Sequence, residues 1–287
     1  MKTSFRTLSG LFAVSALAFG LVVVSLPATA ANTITGSEHD LSDTNVGGSA
    51  VAGTEEICVF CHTPHGANTN VTAPIWNKAL PATAYTAYTS STMDGTAVTG
   101  SVSLACLSCH DGTQARDNMI NQPGSGGYTA AGSNLGTLGS LIDGPGMDSN
   151  KDVTVLTADL SNDHPIGMTY CAAANQASAV AGNCADDSFN VLGNAQDVGG
   201  VKTNGTRNWV EAGGNSTYSK SDFPLYGSGV AGINVECATC HDPHAGNGTV
   251  DLPLDGNTTF LRRVGTSLTV GGSSNSGSGV CLTCHNK

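Results

Sequence analysis

Eight of the ten cysteines fall into four identical frames: Cys58-Val-Phe-Cys61-His62, Cys106-Leu-Ser-Cys109-His110, Cys237-Ala-Thr-Cys240-His241 and Cys281-Leu-Thr-Cys284-His285. In each, two thiols two residues apart are followed at once by an imidazole. That grouping suits covalent capture of a tetrapyrrole. The thiols add across the two vinyl groups of one porphyrin, and the histidine lies under the iron as proximal ligand. Paired C-x-x-C also chelates zinc, and cysteines in an oxidising compartment also form disulfides. Neither use explains a histidine directly after all four second cysteines. The frames predict four covalently attached haem c groups with His62, His110, His241 and His285 as iron ligands.

The chain has eight histidines, so four remain: His39, His65, His164 and His244. Four irons need four distal ligands if all are six-coordinate, and the counts match. Methionine is the usual alternative and raises the potential, but Met93, Met119, Met147 and Met168 share no recurring frame. Bis-histidine ligation is therefore expected at all four irons, which leaves no histidine for catalysis.

Reach restricts the pairing. Two histidines on opposite faces of one iron have Cα atoms roughly 12 Å apart for a metal–nitrogen bond of about 2 Å, whereas three residues span at most about 10–11 Å. His65 in Thr63-Pro64-His65 should thus serve a haem other than that of His62, and His244 in Asp242-Pro243-His244 one other than that of His241. Segment 58–110 and segment 237–285 repeat the same order, with first cysteines 48 and 44 residues apart. Chain order then assigns His65 to the second haem, His244 to the fourth, His39 to the first and His164 to the third.

These residues need elements to carry them, and the composition is spare. Of 287 residues 37 are Gly and 10 are Pro, with 5% aromatic and 11% charged. Side chains alone make a thin core at this length. A mostly irregular, loop-rich fold is expected, with short helices at the haem motifs and few short strands. Thr54-Glu55-Glu56 reads as a helix start before Cys58, with acids at the positive dipole end, and Val153–Leu156 as a brief strand. Residues 31–112 form a first paired-haem module, 113–235 a Gly/Ser-rich intervening region, and 236–287 a second module. Cys171 and Cys184 fit no frame and should form a disulfide, stabilising by roughly 3 kcal/mol on the chain-entropy view.

Residues 1–30 read as a signal peptide. Lys2 and Arg6 precede the apolar run Leu11–Leu26, and Ala28-Thr29-Ala30 supplies a cleavage pattern. The run is shorter than the roughly 20 residues of a spanning helix, so no membrane span is expected after cleavage. The mature chain then works in the periplasm or at the cell exterior. Net charge is -11 without a basic run, which argues against nucleic acid as a partner.

As a set, Cys58–Gly66, Ala73–Asn77, Tyr85–Tyr88, Cys106–Gly112, Asp163–Gly167, Glu236–His244, Phe260–Arg262 and Cys281–His285 resemble the doubled-CXXCH multihaem c-type cytochromes, filament-forming tetrahaem members included. The resemblance implies stacked pairs of bis-histidine haems, few regular elements and end-to-end assembly as one outcome, with a ligand crossing between subunits. The expected function is electron transfer between other redox proteins or extracellular acceptors, by a discrete carrier or by a homopolymeric wire. A nitrite or hydroxylamine reductase would need an iron with an open site and nearby acid/base groups, which nothing in the sequence supplies, so no enzyme activity is expected.

Overall fold

A computed structural model of the chain describes residues 34–44, 53–124, 126–133, 155–174, 176–190, 201–204, 207–212, 217–227, 232–244, 260–262, 269–270, 273–274 and 279–286. The signal-peptide reading of residues 1–30 falls outside them. Residues 31–287 belong to one compact unit, which includes all three stretches 31–112, 113–235 and 236–287.

Helix is short and placed at the cysteine frames. A 3-10 turn covers Ile57–Phe60, α1 is Ser101–His110, α2 is Gln176–Val180, α3 is Cys237–Cys240 and α4 is Gly279–Cys284. Each frame thus lies on a helical turn, where cysteines at i and i+3 share one face. Glu56 is the N-cap of the first turn, where the acidic start was expected.

The strands are β1 (Thr86–Ala87), β2 (Met119–Asn121), β3 (Tyr128–Ser133), β4 (Asp159–Leu160), β5 (Met168–Thr169), β6 (Val201–Asn204), β7 (Arg207–Val210), β8 (Phe223–Leu225), β9 (Asn234–Val235), β10 (Thr269–Val270) and β11 (Ser273–Ser274). They form sheets of two or three strands: parallel β1–β4, antiparallel β2–β3, β5–β9 and β10–β11, and the meander β6–β7–β8. Low helix content, small sheets and long loops agree with the irregular fold expected. The strand expected over 153–156 is not found at its described part: Val155 and Leu156 are coil, and Val153 and Thr154 lie outside the described residues.

The main apolar core borders the third and fourth frames. Met168, Tyr170, Val201, Val210, Phe223, Ile233 and Val235 pack around Cys171, and Cys184 and Cys284 border them. The Cys171–Cys184 disulfide is formed, with Cα atoms 5.2 Å apart. A smaller cluster of Leu41, Phe60 and Met119 backs the first frame. Polar groups fill much of the rest, with Asn77, Lys78, Glu211 and Asp222 fully buried.

Candidate functional site

Three of the four frames are shaped by the same backbone clamp. At the first, Thr63 N–H donates to Ile75 O (2.9 Å) and Asn77 N–H to Cys61 O (2.9 Å), with His62 bridged to Trp76. At the third, Asp242 N–H donates to Phe260 O and Arg262 N–H to Cys240 O, both 2.8 Å, with His241 bridged to Leu261. At the fourth, Asn286 N–H donates to Ser188 O (2.9 Å) and Asn190 N–H to Cys284 O (2.8 Å), with Phe189 bridged to His285. A tripeptide from elsewhere in the chain thus fixes the backbone on both sides of each of these histidines.

The last residue of every clamp adds a side-chain bond to the same place. Asn77 Nδ2 donates to Val59 O (2.6 Å), Arg262 Nε to Ala238 O (2.9 Å) and Asn190 Nδ2 to Leu282 O (2.7 Å). In each case the acceptor is the residue after the first cysteine. A short helical turn leaves such carbonyls without intrahelical donors, and the clamp supplies one. Its central residue also walls the imidazole in two frames: Trp76 lies edge-on to His62 at 5.9 Å, and Phe189 against His285 at 4.6 Å.

The second frame is held differently. It ends the ten-residue helix α1, whose N-cap is Gly100, a residue with no side chain to cap with. Glu236 caps it from across the molecule: its carboxylate accepts the backbone N–H groups of Gly100 and Ser103 and the Ser103 hydroxyl. A Cβ at Gly100 would collide with that carboxylate. Ser103 Oγ in turn accepts Cys237 N–H (3.1 Å), so the second and third frames are tied together. The Cys106 and Cys237 thiols lie near each other, which raises the first and lowers the second. Burial pushes the Cys61 thiol up to about 12 and that of Cys240 to about 11, with the charges of Cys109 and Cys281 adding to the respective rises. Frames that follow one another in the chain thus interact in space.

Imidazoles face one another in three pairs. His62 and His244 have ring centres 6.1 Å apart, His39 and His110 6.1 Å, and His164 and His285 6.4 Å. Two imidazoles bonded at about 2 Å to one metal, each with its centre about 1 Å beyond the nitrogen, sit about 6 Å apart.

The outer ring nitrogens are engaged as well. Nδ1 of His62 donates to Pro74 O (2.8 Å), that of His39 to Pro243 O (3.3 Å) and that of His164 to Pro165 O (3.0 Å). His244 Nδ1 lies 3.3 Å from Asp242 Oδ1. Such a bond fixes the tautomer and leaves Nε2 as the ligating atom. Burial and then the nearness of His110 lower His39 to about 4, which keeps its lone pair free at neutral pH.

These pairs differ from those chain order suggests. His39 faces His110 rather than His62, His244 faces His62 rather than His285, and His164 faces His285 rather than His241. The physical reason is the fold-back of residues 236–244 onto the first frames. The Ser103–Glu236 link anchors that segment, and His39 stacks on Phe260 at 4.2 Å. Reach is respected, since His244 lies across from a histidine of another frame. His65 is exposed, its carbonyl held by Thr63 Oγ1 (3.0 Å) and Asn121 Nδ2 (2.6 Å).

Among the described residues no group of three or more His, Cys, Asp and Glu side chains forms a metal cage. A porphyrin iron asks the protein for two axial side chains only, and the facing imidazoles meet that need. Trp76 Nε1, beside His62, is buried without a hydrogen-bond partner, the kind of donor a propionate carboxylate would satisfy. The residues present fit haem.

Sequence reasoning missed the clamps. Their signal is faint: an apolar residue followed by Asn or Arg, in Trp76-Asn77, Phe189-Asn190 and Leu261-Arg262. No protein-family model matches the chain, and neither does any curated protein.

Proposed function

We propose that the chain is an exported tetrahaem c-type cytochrome that passes electrons between redox partners. What carries the reading is the presence, at three of the four C-x-x-C-H frames, of a second imidazole at iron-spanning distance from the frame's own. Haem supplies reversible one-electron exchange when bound. The chain's residues do the rest. Cys58, Cys61, Cys106, Cys109, Cys237, Cys240, Cys281 and Cys284 attach the four macrocycles. His62 with His244, His110 with His39 and His285 with His164 fill the axial positions of three irons. Elimination leaves His65 to pair with His241 at the iron of Cys237/Cys240. The adjacency of the attachment cysteines supports a row of four centres, close enough together for transfer along it.

The compartment is the periplasm or the cell exterior, where cytochrome c maturation takes place. Among the described residues no helix is long and apolar enough to cross a membrane. A second reading makes the protein a homopolymeric wire. It is favoured by the exposure of His65 on a segment whose neighbouring residues Gly66 and Thr63 lie against Tyr128 and Ile75, which are 60% and 52% exposed. Such a patch would let a ligand cross between copies.

The test is the chain produced with a cytochrome c maturation system. Four covalent haems per chain and low-spin spectra unchanged by cyanide, carbon monoxide or nitrite are expected. Fewer haems, or a ligand-induced high-affinity change, would overturn the tetrahaem carrier in favour of a smaller cofactor set or a reductase. Electron microscopy of the same material separates filaments from discrete particles.

A further inference from the structure

Lys78 is fully buried, and its Nζ donates to the carbonyl oxygens of Arg116 and Asn118, both at 2.8 Å. Among the described residues no carboxylate lies within ion-pair distance of it. Its two carbonyl acceptors satisfy the ammonium's hydrogen bonds, but burying a charge without a counter-ion is costly. The two bonds could be made by a neutral donor, so they do not by themselves call for a charge.

Its location does. The preceding residue, Asn77, is bonded through its backbone to Cys61 and through its side chain to Val59, so Lys78 is rooted on the first frame. Lys78 follows directly, and its side chain is held inside the fold by the carbonyls of Arg116 and Asn118. Arg116, also buried, lies close to Cys109, but the carboxylates of Asp117 and Glu38 offset it. The third frame has no such surplus. Its cation, Arg262, is 3.4 Å from Asp242, and the Glu236 carboxyl stands beside Cys237. Among the described residues, a buried cation without a carboxylate partner thus sits at the amino-terminal pair of frames.

We propose that Lys78 raises the reduction potential of the haem at Cys58/Cys61, and more weakly that at Cys106/Cys109, so that electrons on the row collect at this end. This deepens the tetrahaem reading and rests on it. Reduction places one electron on the haem, drawn from a reduced redox partner, and no proton need follow. A cation held in a low-dielectric site lowers the energy of the reduced form. Lys78 acts through its field, as a positioning residue, and touches no ligand of the iron.

The experiment is a spectroelectrochemical titration of the haem-loaded full chain and of its Lys78→Met, Lys78→Gln and Lys78→Arg variants. Covalent haem is counted first, and the shifted haem is assigned by paramagnetic NMR. In the Met and Gln variants one of four components should move to lower potential, a second less, and two stay in place. Lys78→Arg should keep the wild-type values. Gln retains a donor for one of the two carbonyls, so it carries the test if Met fails to fold. Four unmoved components with haem content intact would overturn the inference, as would a uniform shift of all four, or an Arg variant that behaves like Met. A wild-type chain without covalent haem overturns the tetrahaem reading itself, and this inference with it.

Discussion

Ser103 and Glu236, 133 positions apart in the chain, are hydrogen-bonded in the interior, the serine hydroxyl donating to the carboxylate. Through that bond the helix of the second frame and the helix of the third share one capping residue. Glu236 also forms a capping box with Thr239 on α3, its backbone N–H donating to Thr239 Oγ1 at 2.9 Å. Replacing Ser103 by Ala leaves a buried carboxylate short of one donor and Cys237 N–H without its acceptor. We expect a loss of about 1–3 kcal/mol, read by denaturant unfolding of the haem-loaded protein.

The same carboxyl predicts a pH dependence. Burial raises it above its usual 4.5, against the pull of its donors. A carboxyl whose folded value exceeds its unfolded one binds its proton more tightly when folded. Its stabilisation is therefore full below about pH 4.5 and is lost as pH rises through the folded value. Glu236→Gln should flatten that part of the stability–pH curve, and a curve of unchanged slope would count against this account.

The clamp residues Asn77 and Asn190 carry a third expectation. Asn77 also donates to Asn121 O (2.9 Å) and accepts Asn121 N–H (2.9 Å), so Asn77→Ala breaks several buried bonds at once. A cost of about 2–4 kcal/mol is expected for it, and about 1–3 kcal/mol for Asn190→Ala. Hydrogen exchange should quicken around the affected frame only, with the other frames protected as before.

Axial pairing gives a fourth. With His39 facing His110, His39→Ala should turn the haem at Cys106/Cys109 high-spin, and His244→Ala the haem at Cys58/Cys61. Electron paramagnetic resonance combined with site assignment reads the outcome. High-spin iron at Cys58/Cys61 in the His39 variant would restore the pairing that chain order suggests.

The disulfide supplies the fifth. Cys171 and Cys184, 13 positions apart in the chain, are bridged next to Tyr170 and Phe189. Replacing both by Ala should cost about 2–4 kcal/mol. Phe189 walls His285, so the fourth frame should lose protection before the first in a hydrogen-exchange comparison.

The cysteine frames, the disulfide and the scarcity of regular structure were legible in the sequence because each follows from local rules. Capture of one porphyrin by two thiols, as proposed, would set the cysteine spacing, and a Gly-rich chain cannot sustain long elements. Reach argues against His244 sharing one iron with His241, and in the fold His244 lies across from His62. The partner of each histidine was not legible, because it depends on how residues 236–244 return to α1, and that return is set by Ser103, Gly100 and Glu236. None of the three has a sequence signature for such a role. The clamps stayed hidden for a related reason: Ser188–Asn190 serves a histidine 95 or more residues later, while Ile75–Asn77 serves one about 13 residues earlier.

The facing of His62 and His244 bears on how the molecule is built. If the chain is exported and takes up haem as proposed, threading from the amino terminus would present Cys58 and Cys61 to the attachment machinery first. The imidazole opposite His62 lies about 180 residues later in the chain, beyond the second frame and beyond His39. On that reading the first centre to be started would be finished after the second. A chain stalled before residue 244 would then carry an incompletely ligated, oxygen-accessible haem at its oldest site.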